Sequence, residues 1–276
     1  MRIAVLTNRD VESCVALNLL HRALGARVAA VFLSERVGGR APTSRALEPL
    51  GFVEQDFFNR HVFPAVERTA PIGDRFLTFT EFERIHGIPV RPLGSARTPE
   101  ALDAMRASGA DLFVSVRFGH ILGEAAIAIP PRGVLNLHSG LLPQYRGVLA
   151  TFRALLHGDD EIGCTVHTID SPAIDAGMIV ATPRVRVQRA QSLLWHILAL
   201  YPPGVEQLCH AALALEGGGA LRAEPQDPAA GAYYSFPTDD DMARFTADGW
   251  RLFGRDDIES LVARFAATSV DGAAVH

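Results

Sequence analysis

The chain begins with two β-like runs separated by a helical stretch, and this pattern constrains its fold most strongly. Ile3 to Leu6 form a short apolar run, Val11 to Leu24 repeat apolar residues at helical spacing, and Val28 to Leu33 form a second β-like run. Asp10 or Asn8 stands where a helix N-cap is expected. A strand, a helix and a strand in this order predict a parallel sheet with crossover helices. The first turn has no G-x-G-x-x-G, so the pattern gives no evidence of a nucleotide cofactor.

Alternation of strands and helices continues to about residue 188. Strands are predicted at 111–116, 134–137, 164–169 and 178–187. One or two helices are predicted within 52–66, another begins at Thr98-Pro99-Glu100, and further helices are predicted at 81–86, 148–157 and 192–216. Pro202-Pro203-Gly204 interrupts the last pattern, which leaves open whether it is one helix or two. We therefore expect an open, mostly parallel α/β sheet with flanking helices.

Two segments depart from this regular alternation. Residues 34–75, which include the turn-rich "SERVGGRAPTS", are expected to be an insertion or decorated connection that supplies substrate-specific contacts. Residues 189–276 are expected to form a smaller helical and irregular C-terminal extension, with one or two short helices between residues 239 and 266. The predicted division is thus a domain of residues 1–188 followed by this extension.

Composition argues against several classes of partner. The net charge is −5, and all 26 basic residues are arginines scattered along the chain, so no basic footprint for nucleic acid is present. No signal peptide is apparent, and no run approaches the ~18 apolar residues of a membrane span. Cys14, Cys164 and Cys209 are odd in number and far apart, which predicts buried free thiols and a cytoplasmic protein.

Two polar side chains, Asn136 and His138, stand where a β-like run meets a loop in "VLNLHSGLLPQYRG". Alternate residues of a strand point to one face, so both can project into a cleft at the carboxyl end of a strand, where open α/β sheets bind ligands. The alternative is an amide and an imidazole that only cap the strand and the loop.

A second polar segment, "GCTVHTIDSPAIDAGMIV", follows about thirty residues later with Asp170 and Asp175. A carboxylate beside His138 would hold the orientation of the imidazole ring. An amide, an imidazole and a carboxylate together can catalyse acyl transfer without a covalent intermediate, through oxyanion stabilisation and proton transfer. This requires the carboxylate to lie within about 10 Å of the ring, in reach of a direct or water-bridged link.

The combined motif resembles the folate-dependent formyltransferases, which include enzymes acting on glycinamide ribonucleotide, methionyl-tRNA and amino sugars. It consists of Asn-x-His, Leu-Leu-Pro-x-x-Arg-Gly, and Asp-x-Gly after a Thr-x-His strand, and the resemblance is clear over residues 110–180. It implies a Rossmann-like sheet and 10-formyltetrahydrofolate as donor, with an acceptor amine that attacks the formyl carbon directly. Asn136 would bind the oxyanion, His138 would assist there and handle the amine proton, and Asp175 would position His138.

The resemblance also implies residues around the donor and the acceptor. Two stretches match those that lie against the pterin ring, namely Arg117, Phe118, Gly119, His120, Ile121 and Leu122, and then Ser171, Pro172, Ala173 and Ile174. Ser139 and Gly140 depart from many relatives and are expected on the acceptor side. Arg146 is expected to anchor the loop or an anionic ligand group, His167 to form a wall of the cleft, and Asp170 to form a turn. No Cys/His spacing predicts a metal site.

Several functions remain open. The preferred acceptor is a small amine, either an amino sugar, free or nucleotide-linked, or a hydroxylated amino acid. Methionyl-tRNA is the least favoured acceptor, because about ninety residues after the catalytic part leave little room for a tRNA-binding domain. Hydrolysis of the donor is the alternative, disfavoured because no regulatory domain precedes the first strand, and a non-catalytic folate-binding protein is a third. The segment "GAYYSFPTDDDMARF", with Tyr233, Tyr234 and Phe236, is suited to closing over a substrate or forming a homodimer surface.

Overall fold

The fold is described from a computed structural model, for residues 1–35, 44–69, 73–227 and 229–266. The strands are β1 Ile3–Asn8, β2 Val28–Ser34, β3 Val90–Pro92, β4 Leu112–Val116, β5 Val134–His138, β6 Tyr145–Gly147, β7 Glu161–Gly163, β8 Thr165–Thr168, β9 Ile179–Ala181, β10 Arg184–Arg186 and β11 Ala232–Tyr234. The helices are α1 Val11–Leu24, α2 Glu48–Gly51, α3 Phe63–Val66, α4 Phe79–His86, α5 Pro99–Ala107, α6 Glu124–Ile127, α7 Ala150–His157, α8 Leu193–Glu216, α9 Asp239–Ala247 and α10 Arg255–Ala266.

Seven strands form the main sheet in the order β3-β2-β1-β4-β5-β8-β9. The five strands from β3 to β5 run parallel, whereas β8 is antiparallel to β5 and β9 is antiparallel to β8. The order reverses between β1 and β4, and ligands of open α/β sheets bind outside the carboxyl ends of the strands at such a point. The prediction of a Rossmann-like, mostly parallel sheet with flanking helices is confirmed.

Helices cover both faces of the sheet. Helix α1 begins at Val11, and the side chain of its N-cap Asp10 accepts a hydrogen bond from the backbone N–H of Ser13. Its apolar face and that of α8 pack on one face of the sheet, where α8 also contacts α7 and β5. Helices α5 and α6 cover the other face, where Met105 and Ala126 are fully buried. The two faces follow from the alternation of side chains along each strand.

Helix α8 is continuous over 24 residues, although Pro202 and Pro203 lie inside it. The helix stays undivided because the residue after the two prolines packs tightly against the sheet. A Cβ atom at Gly204 would lie 2.7 Å from Sγ of Cys164 and 2.8 Å from Cδ1 of Leu137, so the helix backbone lies directly against β5 and the residue before β8. Tertiary contact therefore overrides the local preference of the two prolines.

The segment after β2 is helical from residue 48 to residue 66. Helices α2 and α3 flank a π-helical stretch, Phe52–Val62, whose residue Phe58 is fully buried. One or two helices were predicted for 52–66, whereas in the structure α2 begins four residues earlier, at Glu48, directly after a 3-10 turn at Arg45–Leu47. Most of the turn-rich segment 34–44 lies outside the described residues.

The C-terminal residues pack into the same core as the sheet. Phe245 of α9 stacks on Phe152 of α7 with ring centroids 4.4 Å apart, and Phe265 of α10 lies 5.0 Å from the ring of Phe63. Strand β11 pairs in parallel with β6, so that Tyr233 lies opposite Arg146. One or two short helices were predicted between residues 239 and 266, and the structure has two, α9 and α10. The domain boundary at residue 188 stays a prediction.

The three cysteines are free and buried, as predicted. Burial raises the pKa of each thiol, well above its usual range for Cys14, to about 12 for Cys164 and to about 11 for Cys209. None of the helices within the described ranges is long and apolar enough to cross a bilayer.

Candidate active site

A cleft of about 530 Å³ opens at the carboxyl ends of β4 and β5. Its floor includes Ser115 from β4 and Asn136 and His138 from β5, because the ends of these parallel strands meet at one edge of the sheet. Apolar side chains make up most of its walls, and polar groups converge at its base. Such a site suits a mostly flat organic ligand held by a few directed hydrogen bonds.

Asn136 and His138 lie two residues apart on β5 and both line this cleft. His138 is buried, and its Nε2 lies 2.7 Å from the carbonyl oxygen of Tyr145. Because a carbonyl only accepts, Nε2 carries the proton of this hydrogen bond. The Nδ1 atom is then the one that faces the cleft and Asp175.

Gly140 contacts the ring of His138 from behind. A Cβ atom there would lie 2.8 Å from Nε2 of His138 and 2.4 Å from Cβ of Ala150. The Gly140 carbonyl also accepts a hydrogen bond of 2.7 Å from the hydroxyl of Thr165. Gly140 is therefore required for the close packing of the loop on His138, and it does not line the cleft.

The Asp175 carboxylate lies between two imidazole rings. Its Oδ2 is 3.6 Å from Nδ1 of His138, its Oδ1 is 3.6 Å from Nε2 of His167, and Oδ2 accepts a hydrogen bond of 2.8 Å from the backbone N–H of Gly147. Burial by itself raises the pKa of Asp175, but the charge of His138 and the contacts with His167 and Gly147 outweigh it and lower the pKa to about 2. Asp175 is thus a stable carboxylate at neutral pH.

His167 is the direct partner of Asn136. The two residues lie opposite each other in the antiparallel pairing of β5 and β8, and Nδ2 of Asn136 is 3.0 Å from Nε2 of His167. Nδ1 of His167 lies 2.8 Å from the carbonyl oxygen of Thr168, which requires a proton on Nδ1, so in the neutral ring Nε2 is the acceptor. One amide N–H of Asn136 therefore points to His167, and the second stays available to a ligand.

The stretches predicted to lie against the donor form two walls of the cleft. Residues 117–122 and 171–174 all line it. Among them Ile121 is 46 % exposed and Ile174 is 39 % exposed, so two large apolar side chains stand open at its mouth. His120 is fixed by a contact of 2.8 Å between its Nε2 and the carbonyl oxygen of Leu93, and its ring meets that of Phe118 edge to face.

The guanidinium of Arg117 forms ion pairs with a cluster of three carboxyl groups. It pairs with Asp10 at 3.2 Å, with Glu54 at 3.3 Å and also with Glu12. Burial raises the pKa of Glu12 well above its usual range despite the nearby charge of Arg117. Arg117 itself has a φ of 56°, in the left-handed region that side chains other than glycine rarely adopt.

Of the four residues predicted on the acceptor side or in the loop, two line the cleft and two do not. Ser139 and His167 line the cleft, whereas Gly140 and Arg146 do not. Arg146 lies on β6, opposite Tyr233 of β11. Asp170 accepts a hydrogen bond from the hydroxyl of Thr168.

Sequence reasoning missed several contributors to the site. The backbone N–H of Gly147, the side chain of Gln226, and Leu47, Leu50 and Glu54 contact Asp175 or line the cleft. The last three fall in the segment 34–75, for which substrate contacts were expected in general terms. In the described ranges, no group of three or more His, Cys, Asp or Glu residues is arranged to hold a metal ion.

Solved structures with a similar fold carry formyl-transfer names. Glycinamide ribonucleotide transformylase 1 from Symbiobacterium toebii aligns with a TM-score of 0.55 and 19 % identity, over 82 % of this chain and 94 % of that chain. A 4-N formyltransferase from Francisella tularensis aligns with a TM-score of 0.56 and 14 % identity, over 90 % of this chain and 87 % of that chain. At these identities the likeness concerns the fold.

Similarity in sequence is higher to methionyl-tRNA formyltransferases. The protein of that name from Methylobacterium sp. (strain 4-46) is 37 % identical over 171 residues, which are 61 % of this chain and 54 % of the relative. The one from Nitrobacter hamburgensis is 39 % identical over 135 residues, 48 % of this chain and 43 % of the relative. The chain spans about half the length of the curated relatives it matches.

A family model covers the part of the chain that builds the cleft. The model described as formyl transferase matches residues 1–194, which include Asn136, His138, Asp175 and every strand of the main sheet. The chain therefore belongs to the formyl transferase family.

Proposed function

We propose that this chain transfers a formyl group from 10-formyltetrahydrofolate to the amine of a small molecule. The observation that carries the proposal is the 3.6 Å approach of the Asp175 carboxylate to Nδ1 of His138, beside Asn136 in the same cleft. These groups come from two segments more than thirty residues apart. An amide N–H, an imidazole and a stable carboxylate around one site are what acyl transfer through a tetrahedral intermediate needs.

The proposed reaction assigns one task to each side chain. The neutral amine nitrogen attacks the formyl carbon, the bond from that carbon to N10 of the folate breaks, and the proton lost by the amine is balanced by one delivered to N10. The second amide N–H of Asn136 stabilises the oxyanion while the first holds His167. His138 moves the proton through Nδ1, since its Nε2 is bonded to Tyr145. Asp175 stabilises the protonated form of that ring.

The donor-side walls fit a folate ring system. Phe118, Leu122 and the half-exposed Ile121 and Ile174 offer an apolar slot along residues 117–122 and 171–174. Neither stretch lies in a helix or strand, so backbone N–H and C=O groups border the slot. A flat heteroaromatic ring with polar edges suits such a slot.

A small acceptor is supported by further lining residues, which come from the segment after β2 and from the C-terminal segment. Tyr233 and Phe236 from the C-terminal segment line the cleft together with Leu47, Leu50 and Glu54. Glu54 belongs to the carboxyl cluster around Arg117, so the charge of that guanidinium is already compensated by carboxyl groups of the protein. An amino sugar, free or nucleotide-linked, or a hydroxylated amino acid is the proposed class of acceptor.

Methionyl-tRNA is the second candidate acceptor, because the curated relatives named above are methionyl-tRNA formyltransferases. The scattered arginines and the net charge of −5 argue against a nucleic-acid partner. An acceptor with the size and charge of tRNA would need contacts outside the cleft.

The decisive experiment is an acceptor screen with 10-formyltetrahydrofolate, read by the mass increase of one formyl group. Amino sugars, their nucleotide-linked forms, hydroxylated amino acids and charged initiator tRNA form its four arms, with Asn136→Ala as the inactive control. Formylation in one of the first three arms supports the proposal. Formylation of tRNA alone would replace the acceptor, formate release from the donor without any amine would indicate a hydrolase, and donor binding with no turnover would indicate a folate-binding protein.

A further inference from the structure

Gln226, from the C-terminal segment, bonds the backbone of the loop that carries Asp175. Its Nε2 donates to the carbonyl oxygen of Asp175 at 3.0 Å and to that of Gly177 at 2.6 Å. The amide has one orientation, because exchanging its N and O would place an oxygen against two carbonyl oxygens. Oε1 of Gln226 is buried and has no hydrogen-bond partner among the described residues. The hydrogen bonds that hold the side chain are therefore the two that its Nε2 donates.

The backbone pairing explains why Gln226 reaches this loop. Glu224 pairs antiparallel with Ile179 at the start of β9, through two backbone hydrogen bonds of 2.8 Å. Because the two segments are antiparallel, Gln226, two residues after Glu224, lies beside Gly177, two residues before Ile179. The C-terminal segment is therefore aligned to the Asp175 loop by register and not by a chance surface contact.

The loop adopts a backbone conformation that needs such support. Asp175 has a φ of 50°, in the left-handed region. Gly177 is packed so closely that a Cβ atom there would lie 1.7 Å from the carbonyl oxygen of Thr168. The hydrogen bonds from Gln226 connect to these two residues and hold the backbone from which the carboxylate projects toward His138 and His167.

We propose that Gln226 is a positioning residue, which fixes the backbone of Asp175 so that its carboxylate meets His138, His167 and the N–H of Gly147. The inference rests on the proposed function only for its kinetic consequence. A misplacement of about 1 Å at a reacting group can cost on the order of a hundredfold in rate. Loss of both hydrogen bonds is therefore expected to lower kcat by about tenfold or more while the donor still binds.

The test uses the full chain with Gln226→Met, which keeps the length of the side chain and removes both donors. Gln188→Met is the matched control, because Gln188 is exposed and does not line the cleft. Kinetics give kcat and both KM values. An amide NMR spectrum follows the N–H of Gly147, which bonds the Asp175 carboxylate directly. We expect a lower kcat, a changed Gly147 resonance, and no change in either quantity for the control.

A double-mutant cycle separates positioning from a general loss of structure. In an Asp175→Asn background, Gln226→Met should change kcat by less than about twofold, since its effect passes through the carboxylate that is already gone. An equal loss in both backgrounds, or an unmoved Gly147 resonance in Gln226→Met, would overturn the inference. Should the Met variant not fold, Gln226→Asn, which keeps the donors on a shorter side chain, is held to the same two readouts.

The outcome also distinguishes this inference from the proposed function. If wild-type protein formylates no amine, the Gly147 resonance of the two variants still decides whether Gln226 positions Asp175. A changed resonance then retains the positioning role while the proposed function fails. An unchanged resonance with full activity rejects the positioning role alone.

Discussion

Asn136 Nδ2 lies 3.0 Å from Nε2 of His167, across the antiparallel pair formed by β5 and β8. This contact fixes the Asn136 amide with its nitrogen toward the imidazole, since His167 holds its own proton on Nδ1 against the carbonyl of Thr168. The amide group is therefore oriented before any ligand binds. Preorganised donors of this kind contribute most to acyl transfer, because they need no rearrangement as charge develops.

Replacement of Asn136 by Ala should lower kcat by about a hundredfold or more, because removal of one oxyanion donor in comparable chemistry costs about 3 kcal/mol. Steady-state kinetics with the acceptor found in the screen measure it, and a thermal melt checks that the fold is kept. A rate within a few-fold of wild type would show that Asn136 does not bind the oxyanion.

Activity should rise with pH through the range in which the acceptor amine loses its proton, because only the free base attacks the formyl carbon. Asp175 does not limit this range, since its pKa is lowered to about 2 and it stays ionised throughout. The measurement is kcat/KM between about pH 6 and 9, with two acceptors whose amines differ in pKa. Identical flat profiles for both would argue against direct attack by the amine.

Asp175→Asn should remove an acid-sensitive part of the stability. Because the pKa of Asp175 falls from 3.8 unfolded to about 2 folded, the carboxylate contributes about 2 kcal/mol above pH 4, which is lost as the pH falls toward 2. Urea unfolding at pH 7 and at about pH 3 measures this difference. Asn tolerates the left-handed backbone at residue 175, so the variant tests charge and not strain. An unchanged acid dependence in the variant would contradict the lowered pKa.

Glu12→Gln should remove a loss of stability that wild type shows as the pH rises, whereas the Asp175 carboxylate causes a loss as the pH falls. Burial raises the folded pKa of Glu12, so between the unfolded value of 4.5 and the folded value the native state holds a proton that the unfolded chain releases. Wild-type stability therefore falls as the pH rises through this window, and the neutral isostere does not share that loss. We expect the free energy of unfolding of the variant, measured in urea at pH 8, to equal or exceed that of wild type. A less stable variant at pH 8 would indicate that Glu12 is ionised and held by Arg117.

Gly204→Ala should destabilise the fold by about 1–3 kcal/mol, because the added methyl group overpacks a filled contact. Its Cβ would meet Cys164 and Leu137 at less than 3 Å. The free energy of unfolding measures the change, with Gly217→Ala as the control, since a Cβ there meets nothing closer than 3.6 Å. Equal stability of both variants would show that α8 can move away from the sheet.

Much of the fold followed from local patterns. The first strand, the first helix and an N-cap at Asp10 or Asn8 were expected, because apolar periodicity and cap chemistry are local properties, and the structure uses Asp10. Helix α8 was not decided by its sequence, since the contact of Gly204 with Cys164 joins residues forty positions apart. Long-range packing of this kind leaves no trace in a short window.

The cleft shows the same division. Asn136 and His138 could be placed together because two residues on one strand share a face. The contact between Asn136 and His167 depends on the pairing of β5 with β8, which the spacing of the motif does not reveal. Gln226 had no signal at all, because its task depends on the register of an irregular segment with β9.

The three buried thiols can report local opening of the structure, because they become reactive only when they are exposed. Each has a raised pKa and is shielded in the native state, so alkylation at neutral pH requires a transient exposure. Cys164 sits against Gly204 of α8, and Cys14 lies on α1. The alkylation rate of each cysteine, measured by timed labelling and peptide mass mapping, would therefore rank how often α1 and α8 separate from the sheet. No added label site is needed.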